Sequence, residues 1–471
     1  MLAVPPCAKR ILVLLLPASL LASEDDWKGA SKVTTTLVDE FGRRQDALLG
    51  LAASATRRGC RVAKVAGNIL DGFTVRVDGK PGPRYEMIAK ETPVFSEDGS
   101  SIAYAVRRLG DWMWVVNGME GPAFPELTAT SFAFSADGRR HAYVGIPRFR
   151  QSTLMVDGKV QAEGGWEDTM PWDAAPLFSP DGSRLAYVEA RRSEKKMRVH
   201  LDGNPGPWHE GIALVTSAGF GAFGVSSGEL SGVAAERARP GVFQMRFSDD
   251  GKRFAYGMFA AARNGLIVDG KQMGLHDAYG FDFIFSPDAS DYATMMWDGT
   301  KRWVISAKRD PMEIEKIFDW SLTYSPDSQH LSFAAVRDGK LAIWLDGKPA
   351  PCDIPFKDCP NWKAILFSPD SKRLAFIVRT ETALHWVVDG KADPGAKFIG
   401  SNVTMDFSPD SRHYAYAATD AAGKEVRVVV DGVVRARHAT IACGPVFRND
   451  GVLEYLAIEE TALMRYEVRL E

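Results

Sequence analysis

Residues 175–188 read Ala-Pro-Leu-Phe-Ser-Pro-Asp-Gly-Ser-Arg-Leu-Ala-Tyr-Val. Leu177-Phe178-Ser179 is short, extended and apolar. Pro180 presets a turn dihedral, and Asp181-Gly182 completes a tight turn because glycine tolerates positive φ. Leu185-Ala186-Tyr187-Val188 then reads as a strand returning along the first. Further on, Met197-Arg198-Val199-His200-Leu201 forms a third strand, ended by Asp202-Gly203. The stretch is therefore a unit of antiparallel sheet, rich in the aromatic and β-branched residues that strands favour.

The unit repeats. Its aromatic recurs at Phe95, Phe134, Phe178, Phe247, Phe285, Tyr324, Phe367, Phe407 and Phe447, at spacings of 39, 44, 69, 38, 39, 43, 40 and 40. Eight residues later stands a small side chain: Ala103, Ala142, Ala186, Ala255, Ala293, Ser332, Ala375 or Ala415. An aromatic usually follows it, as at Tyr104, Tyr143, Tyr187, Tyr256, Phe333, Phe376 and Tyr416. A third signature, Val-Asp-Gly-Lys or similar, falls at Asn117, Asp157, Asp202, Asp269, Asp346, Asp389 and Asp431. Strands such as Leu374-Ala375-Phe376-Ile377-Val378 are apolar on both faces, so each sheet needs a cover on both sides. The recurrent small residue would let neighbouring sheets approach closely.

Modules of about 40 residues with three or four strands are the mark of propeller blades, each burying its faces against its neighbours. The expected fold is all-β: a single β-propeller of eight or nine mostly four-stranded antiparallel blades over residues 68–471. Phe73–Val77, Asp78-Gly79-Lys80 and Tyr85–Ile88 look like outer strands that complete the last blade by joining the two termini. Residues 23–67, with Val38–Phe41 and Leu48–Ala53, read as a helical extension. The Gly-, Ala- and Ser-rich stretch 204–240 interrupts the repeat and reads as a long loop on one face, with a decayed repeat as the alternative.

The Phe-Ser-Pro-Asp-Gly-x-x-Leu-Ala-Tyr run resembles the WD-repeat-like blade of the TolB propeller, and is similar to the propeller domains attached to prolyl oligopeptidases. That resemblance implies a periplasmic protein-binding scaffold or a regulatory cap on a peptidase. The Val-Asp-Gly-Lys element departs from the usual TolB strand ending, so no TolB partner is carried over.

The N-terminus is of another character. Lys9 and Arg10 precede the apolar run Ile11–Leu16, then Pro17 and small residues ending at Ala22-Ser23. This reads as a secretory signal over residues 1–22, too short and interrupted for the roughly 20 apolar residues of a membrane span. The expected location is periplasmic or secreted. Removing Lys9 and Arg10 from 57 basic side chains leaves 55 against 60 acidic ones, a mild balance that gives no support to a nucleic-acid partner, and none is expected. Stable membrane insertion is likewise not expected, and the chain reads as a monomer.

Little in the sequence points to catalysis. Gly224-Val225-Ser226-Ser227-Gly228 matches the nucleophile elbow of serine hydrolases, but that elbow needs a strand–turn–helix in a parallel sheet, absent from this pattern. His141, His200, His209, His276, His330, His385, His413 and His438 are dispersed through the repeat. Asp181, Asp288, Asp327, Asp370 and Asp410 lack the alternating carboxylates of a calcium loop and read as turn formers. Trp114, Trp303, Trp344 and Trp386 recur at one repeat position, which favours packing between blades over ligand stacking. Cys60 and Cys443 read as structural. Cys352 and Cys359 pair in an oxidising compartment or stay as loop thiols, and spacing alone leaves both open. Asn402-Val403-Thr404 matches a glycosylation sequon. No catalytic, metal or cofactor-binding residue and no cofactor is assigned. The expected function is an exported, non-enzymatic scaffold binding a protein or peptide. The alternative is a propeller hydrolase or lyase acting on a glycan or small molecule at a polar axial site.

Overall fold

The turn read at Ser179–Gly182 is a hydrogen-bonded device that recurs along the chain. The computed structural model describes residues 30–40, 50–90, 92–127, 131–147, 152–163, 175–191, 194, 196–210, 242–260, 263–276, 278–297, 300–318, 321–355, 357, 365–395, 405–420, 423–460 and 462–471. In eight of these turns a buried serine hydroxyl donates to the aspartate two residues on, as from Ser135 to Asp137 (2.7 Å), Ser248 to Asp250 (2.7 Å), Ser368 to Asp370 (2.6 Å) and Ser408 to Asp410 (2.6 Å). The aspartate then accepts a backbone N–H, as from Ser183 to Asp181 at 3.1 Å. The aspartates therefore serve their own turns, as their spacing indicated. The Asp-Gly elements are type I′ turns, with Asp202 at φ 53° and Gly203 at φ 79°.

These turns connect ten antiparallel sheets of four or five strands, and no α-helix occurs among the described residues. The fold is a β-propeller of ten blades, not the eight or nine expected. Blade 1 is Gly50–Thr56, Gly59–Asn68, Gly72–Val77 and Lys80–Tyr85. Blade 2 spans Met87–Glu120, blade 3 Glu126–Glu163, blade 4 Leu177–Glu210 and blade 5 Val242–His276. Blade 6 spans Ala278–Ile314, blade 7 Lys316–Pro349, blade 8 Ile365–Ala392 and blade 9 Met405–His438. Blade 10 joins Thr440–Phe447, Leu453–Glu459 and Ala462–Leu470 to the N-terminal strand Ala30–Glu40.

Two expectations change with blade 1. Within the stretch 23–67 read as helical, the described residues are strands at Ala30–Glu40, Gly50–Thr56 and Gly59–Asn68, while 23–29 and 41–49 lie outside the described residues. Alanine's helix preference is a weak prior that sheet pairing overrides, and Val33-Thr34-Thr35-Thr36 is β-branched throughout. Gly72–Val77 and Lys80–Tyr85 do not complete the last blade. They pair within blade 1, and the C-terminal strand pairs instead with Ala30–Glu40, Val33 opposite Val468 and Thr35 opposite Tyr466. Blade 1 escaped the repeat count because its first turn is Thr56-Arg57-Arg58-Gly59. Residues 204–210 also leave the insertion, since Asn204–Pro205 and His209–Glu210 pair in blade 4. The signal segment, residues 211–241 with the Gly224–Gly228 match, Cys359 and Asn402 lie outside the described residues.

The chain divides into two compact units. One is built on Ala105–Pro349; the other combines the chain up to Tyr104 with residues from Ala350 onward. Within each, one interaction joins successive blades. Six residues after the repeat aromatic, an arginine bonds its own blade's Asp-Gly turn, reaches a carbonyl of the next blade and lies over that blade's aromatic. Arg140 does so to Asp157 (2.9 Å), Gly182 O (2.8 Å) and Phe178 (5.0 Å). Arg184 does so to Asp202, Lys252 O and Phe247, and Arg253 to Asp269, Ala289 O and Phe285. In the second unit Arg61 and Arg373 repeat it, reaching Gly99 O and Arg412 O. The ion pair is half-exposed and worth little alone. The charged bond to a carbonyl adds about 1.5–3 kcal/mol and the ring contact about 0.5–1 kcal/mol. Behind the arginine, Ala142, Ala186, Ala255, Ala375 and Ala415 are wholly buried, as the small-residue reading required. Trp114 and Trp386 are buried beside the next blade's tyrosine, 6.3 Å from Tyr143 and Tyr416 respectively, and Trp344 is buried too.

The turn serines also set an acid limit. Bonds from Ser179 and Ser183 hold the Asp181 carboxyl at about 2 rather than 3.8, and Ser248, Ser286, Ser368 and Ser408 lower Asp250, Asp288, Asp370 and Asp410 in the same way. A carboxyl depressed on folding contributes stability above its unfolded pKa, and that contribution is lost as pH falls through the folded one. The urea midpoint should stay flat down to about pH 5 and drop steeply between about pH 4 and 2. Ser179→Ala should flatten part of that drop; an unchanged profile would mean the hydroxyl does not bias the carboxylate.

Candidate functional site

Of the nine units carrying the repeat aromatic, the Phe285 unit departs in two correlated ways. Where its neighbours have Val-Asp-Gly-Lys it has Ile305-Ser306-Ala307-Lys308-Arg309-Asp310-Pro311, and where four others have the stapling arginine it has Asp291. The charges have changed places. Asp291, 1% exposed, accepts from Ala307 N (2.9 Å), Ser306 Oγ (2.8 Å), Arg309 Nη1 (2.7 Å) and Tyr324 Oη (2.9 Å). Arg309, projecting from the enlarged turn, takes over the staple: its Nη2 donates to Gln329 O at 2.8 Å and its guanidinium lies 5.3 Å from the Tyr324 ring. Burial first, and then the Asp291 charge, drives the Tyr324 hydroxyl well above its ordinary range. It therefore stays a donor.

The enlarged turn delays the last strand of blade 6 to Met312–Ile314 and leaves a cavity of about 660 Å³ between blades 6 and 7. Its floor is apolar, from Val304, Met312, Leu331 and Phe333. Its rim carries both signs, Arg309 and Arg337 against Asp310, Glu313 and Asp346. Several rim groups are already tied: Glu313 pairs with Lys301 (2.9 Å) and Asp346 with His330 Nδ1 (2.6 Å). The one hydroxyl in the lining, Ser306, donates to Asp291 and has no histidine beside it in the wall. The arrangement is suited to binding an amphipathic segment. Met312–Ile314 pairs on one side only, with Arg302–Val304, and is an edge of the sheet.

The sequence reading assigned no site residues, so none of these was anticipated. The signal that would have found them is the Asp-Gly signature missing after Phe285, together with Asp291 in the arginine's place. Among the described residues no group of three or more His, Cys, Asp or Glu side chains comes together as metal ligands would. His330 and His413 occupy the staple position and bond Asp346 and Asp431, both at 2.6 Å. His200 bonds Glu189 (2.6 Å), His209 the Tyr256 hydroxyl (3.0 Å) and His438 Glu459 (2.6 Å). Burial lowers the pKa of His141 and of His209.

No family model matches the chain, and no curated protein does. Among solved structures, a crystal structure of the eukaryotic initiation factor is 14% identical, covering 82% of this chain and 93% of that one, with a TM-score of 0.44. TolB from Acinetobacter baumannii is 14% identical over 72% of this chain and 80% of its own, at 0.27. The β-propeller domain of the Trilobed protease from Pyrococcus furiosus is 13% identical over 62% and 93%, at 0.29. At these values the fold assignment rests on the ten sheets themselves.

Asp291→Ala should leave Arg309 and Tyr324 without their shared acceptor. An expected loss of about 3 kcal/mol, seen as a lower urea midpoint, follows from breaking a buried pair. Asp291→Ala with Arg309→Met should recover part of it. Equal midpoints for the single variant and the wild type would show that the swapped pair does not support the groove.

Proposed function

We propose that this protein is an exported, non-enzymatic propeller that binds an extended peptide segment of a partner protein along the groove between blades 6 and 7. The observation that carries this reading is the break in the repeat. Elsewhere the turn and staple residues are spent on architecture; here they are rearranged so that the same bonds are kept while a cavity opens. An incoming strand can extend the sheet at Met312–Ile314 through main-chain bonds, with alternate side chains over Phe333 and Leu331. Arg337, Glu313 and Asp310 would then select charge at the rim, acting more on specificity and association than on affinity.

Export is supported by the basic-then-apolar segment at residues 1–22, with its small residues at Ala22-Ser23. Intact-mass measurement of protein from the native host should give a mature chain beginning near Ser23; retention of Lys9 and Arg10 would remove the exported half of the proposal.

The binding half is tested by a photo-crosslinking residue at position 313 in the native host. A discrete adduct is expected there and not from position 160, an exposed site on blade 3. Arg337→Glu should cut the yield about tenfold, as expected when a rim charge is reversed. The same bands from both positions, or bands indifferent to Arg337→Glu, would sink the groove as the binding site.

A further inference from the structure

The ends of the chain meet in the second unit, where blade 1 packs on blade 10. Cys60 lies on Gly59–Asn68 of blade 1, and Cys443 on Thr440–Phe447 of blade 10. They are 2% and 6% exposed and belong to one apolar cluster with Val62, Val446 and Leu456. Each sulfur reaches into the other's blade: Cys443 Sγ donates to Ser54 O of blade 1 at 3.2 Å, and Cys60 Sγ to Glu454 O of blade 10 at 3.8 Å. Side chains that cross in this way pass one another. A Cβ placed on Gly444, the residue after Cys443, would stand only 3.2 Å from Cys60 Sγ.

We infer that Cys60 and Cys443 are a disulfide-forming pair, a modification site that links the first blade covalently to the last. In the structure both are thiols. Formation proceeds by exchange with a disulfide oxidant such as oxidised glutathione. One cysteine thiolate attacks the oxidant's disulfide, expelling one thiolate and leaving a mixed disulfide. The second cysteine thiolate then displaces the other half. Two protons leave the protein, one sulfur–sulfur bond forms, and the oxidant departs as two thiols. Burial first, and then Cys443, pushes the Cys60 thiol well above its ordinary range, so its thiolate is scarce once the blades have closed. Exchange therefore belongs to folding, before blade 10 docks. Its occurrence in cells rests on the proposed export, because a reducing cytosol would keep the thiols apart. Its capacity to form does not.

The full chain is refolded in parallel in a reduced–oxidised glutathione buffer and in excess reductant. Each sample is alkylated with N-ethylmaleimide under denaturing conditions and mapped by non-reducing peptide mass spectrometry. The oxidised sample should yield the Cys60 peptide joined to the Cys443 peptide, with neither alkylated. Its Tm should stand several degrees above that of the reduced sample, because the cross-link closes a very long loop. Alkylation of both cysteines after oxidative refolding, or linkage of Cys60 to Cys352 or Cys359, overturns the proposal. Should refolding fail, protein sent to an oxidising compartment by a foreign leader is mapped in the same way, with the same outcomes deciding. Failure of the native leader to direct export would appear separately, in the mature N-terminus.

Discussion

A planar guanidinium laid over the next blade's aromatic ring is the contact that fixes one blade on the next at Arg61, Arg140, Arg184, Arg253 and Arg373. A sheet apolar on both faces has no stable existence alone, and apolar packing between two such sheets is indifferent to sliding. The arginine removes that freedom. It is tied at one end to the Asp-Gly turn of its own blade and at the other to a carbonyl of the next, as Arg184 is to Asp202 and Lys252. The wholly buried alanine behind it keeps the two sheets close enough for the reach. Where histidine replaces arginine, at His330 and His413, the bond to the turn aspartate survives.

In the second unit the meeting of the chain ends calls for stronger means. Arg57, from the atypical first turn of blade 1, donates to Asp406 (2.9 Å), Phe407 O (2.9 Å) and Phe447 O (3.0 Å), and so ties three blades at one point. Burial keeps the Asp406 pKa raised even beside that guanidinium. Glu454, almost wholly buried, accepts from Cys60 N, and Asp39 on the N-terminal strand holds Lys64 and Arg76 of blade 1. Buried charge is tolerated here because each carboxylate has several donors, the condition under which a desolvated ion pair is not a liability. The bonds of Arg57 and Glu454 join residues hundreds of positions apart and define the seam.

The blade 6–blade 7 groove illustrates how a repeat protein can acquire a site without losing its frame. The staple between these blades was not abandoned; acid and base exchanged strands. Because Arg309 projects from a longer turn than the Asp-Gly turns of the other blades, space is left between the two blades, and the hydrophobic faces of both border it. The staple is kept, through Arg309 to Gln329 O and over the Tyr324 ring, and the cavity is what the longer turn leaves over.

Sequence alone was enough to determine the blade. The Phe-Ser-Pro-Asp-Gly turn, the small residue eight positions on and the Asp-Gly ending are local chemistry, set by φ preferences and hydrogen bonds within a few residues, and all three sit where they were read. The arginine six residues after the aromatic in four units, and Asp291 in its place, stand in the sequence too, but their meaning came only from the contacts they make in the fold. Tertiary structure alone decided the number of blades, the pairing of Ala30–Glu40 with Ala462–Leu470, and the approach of Cys60 to Cys443. The reason is physical. Blade 1 and the N-terminal strand lack the turn motif and take up their conformation from pairing with distant partners, and long-range pairing leaves no periodic trace in the residues that enter it.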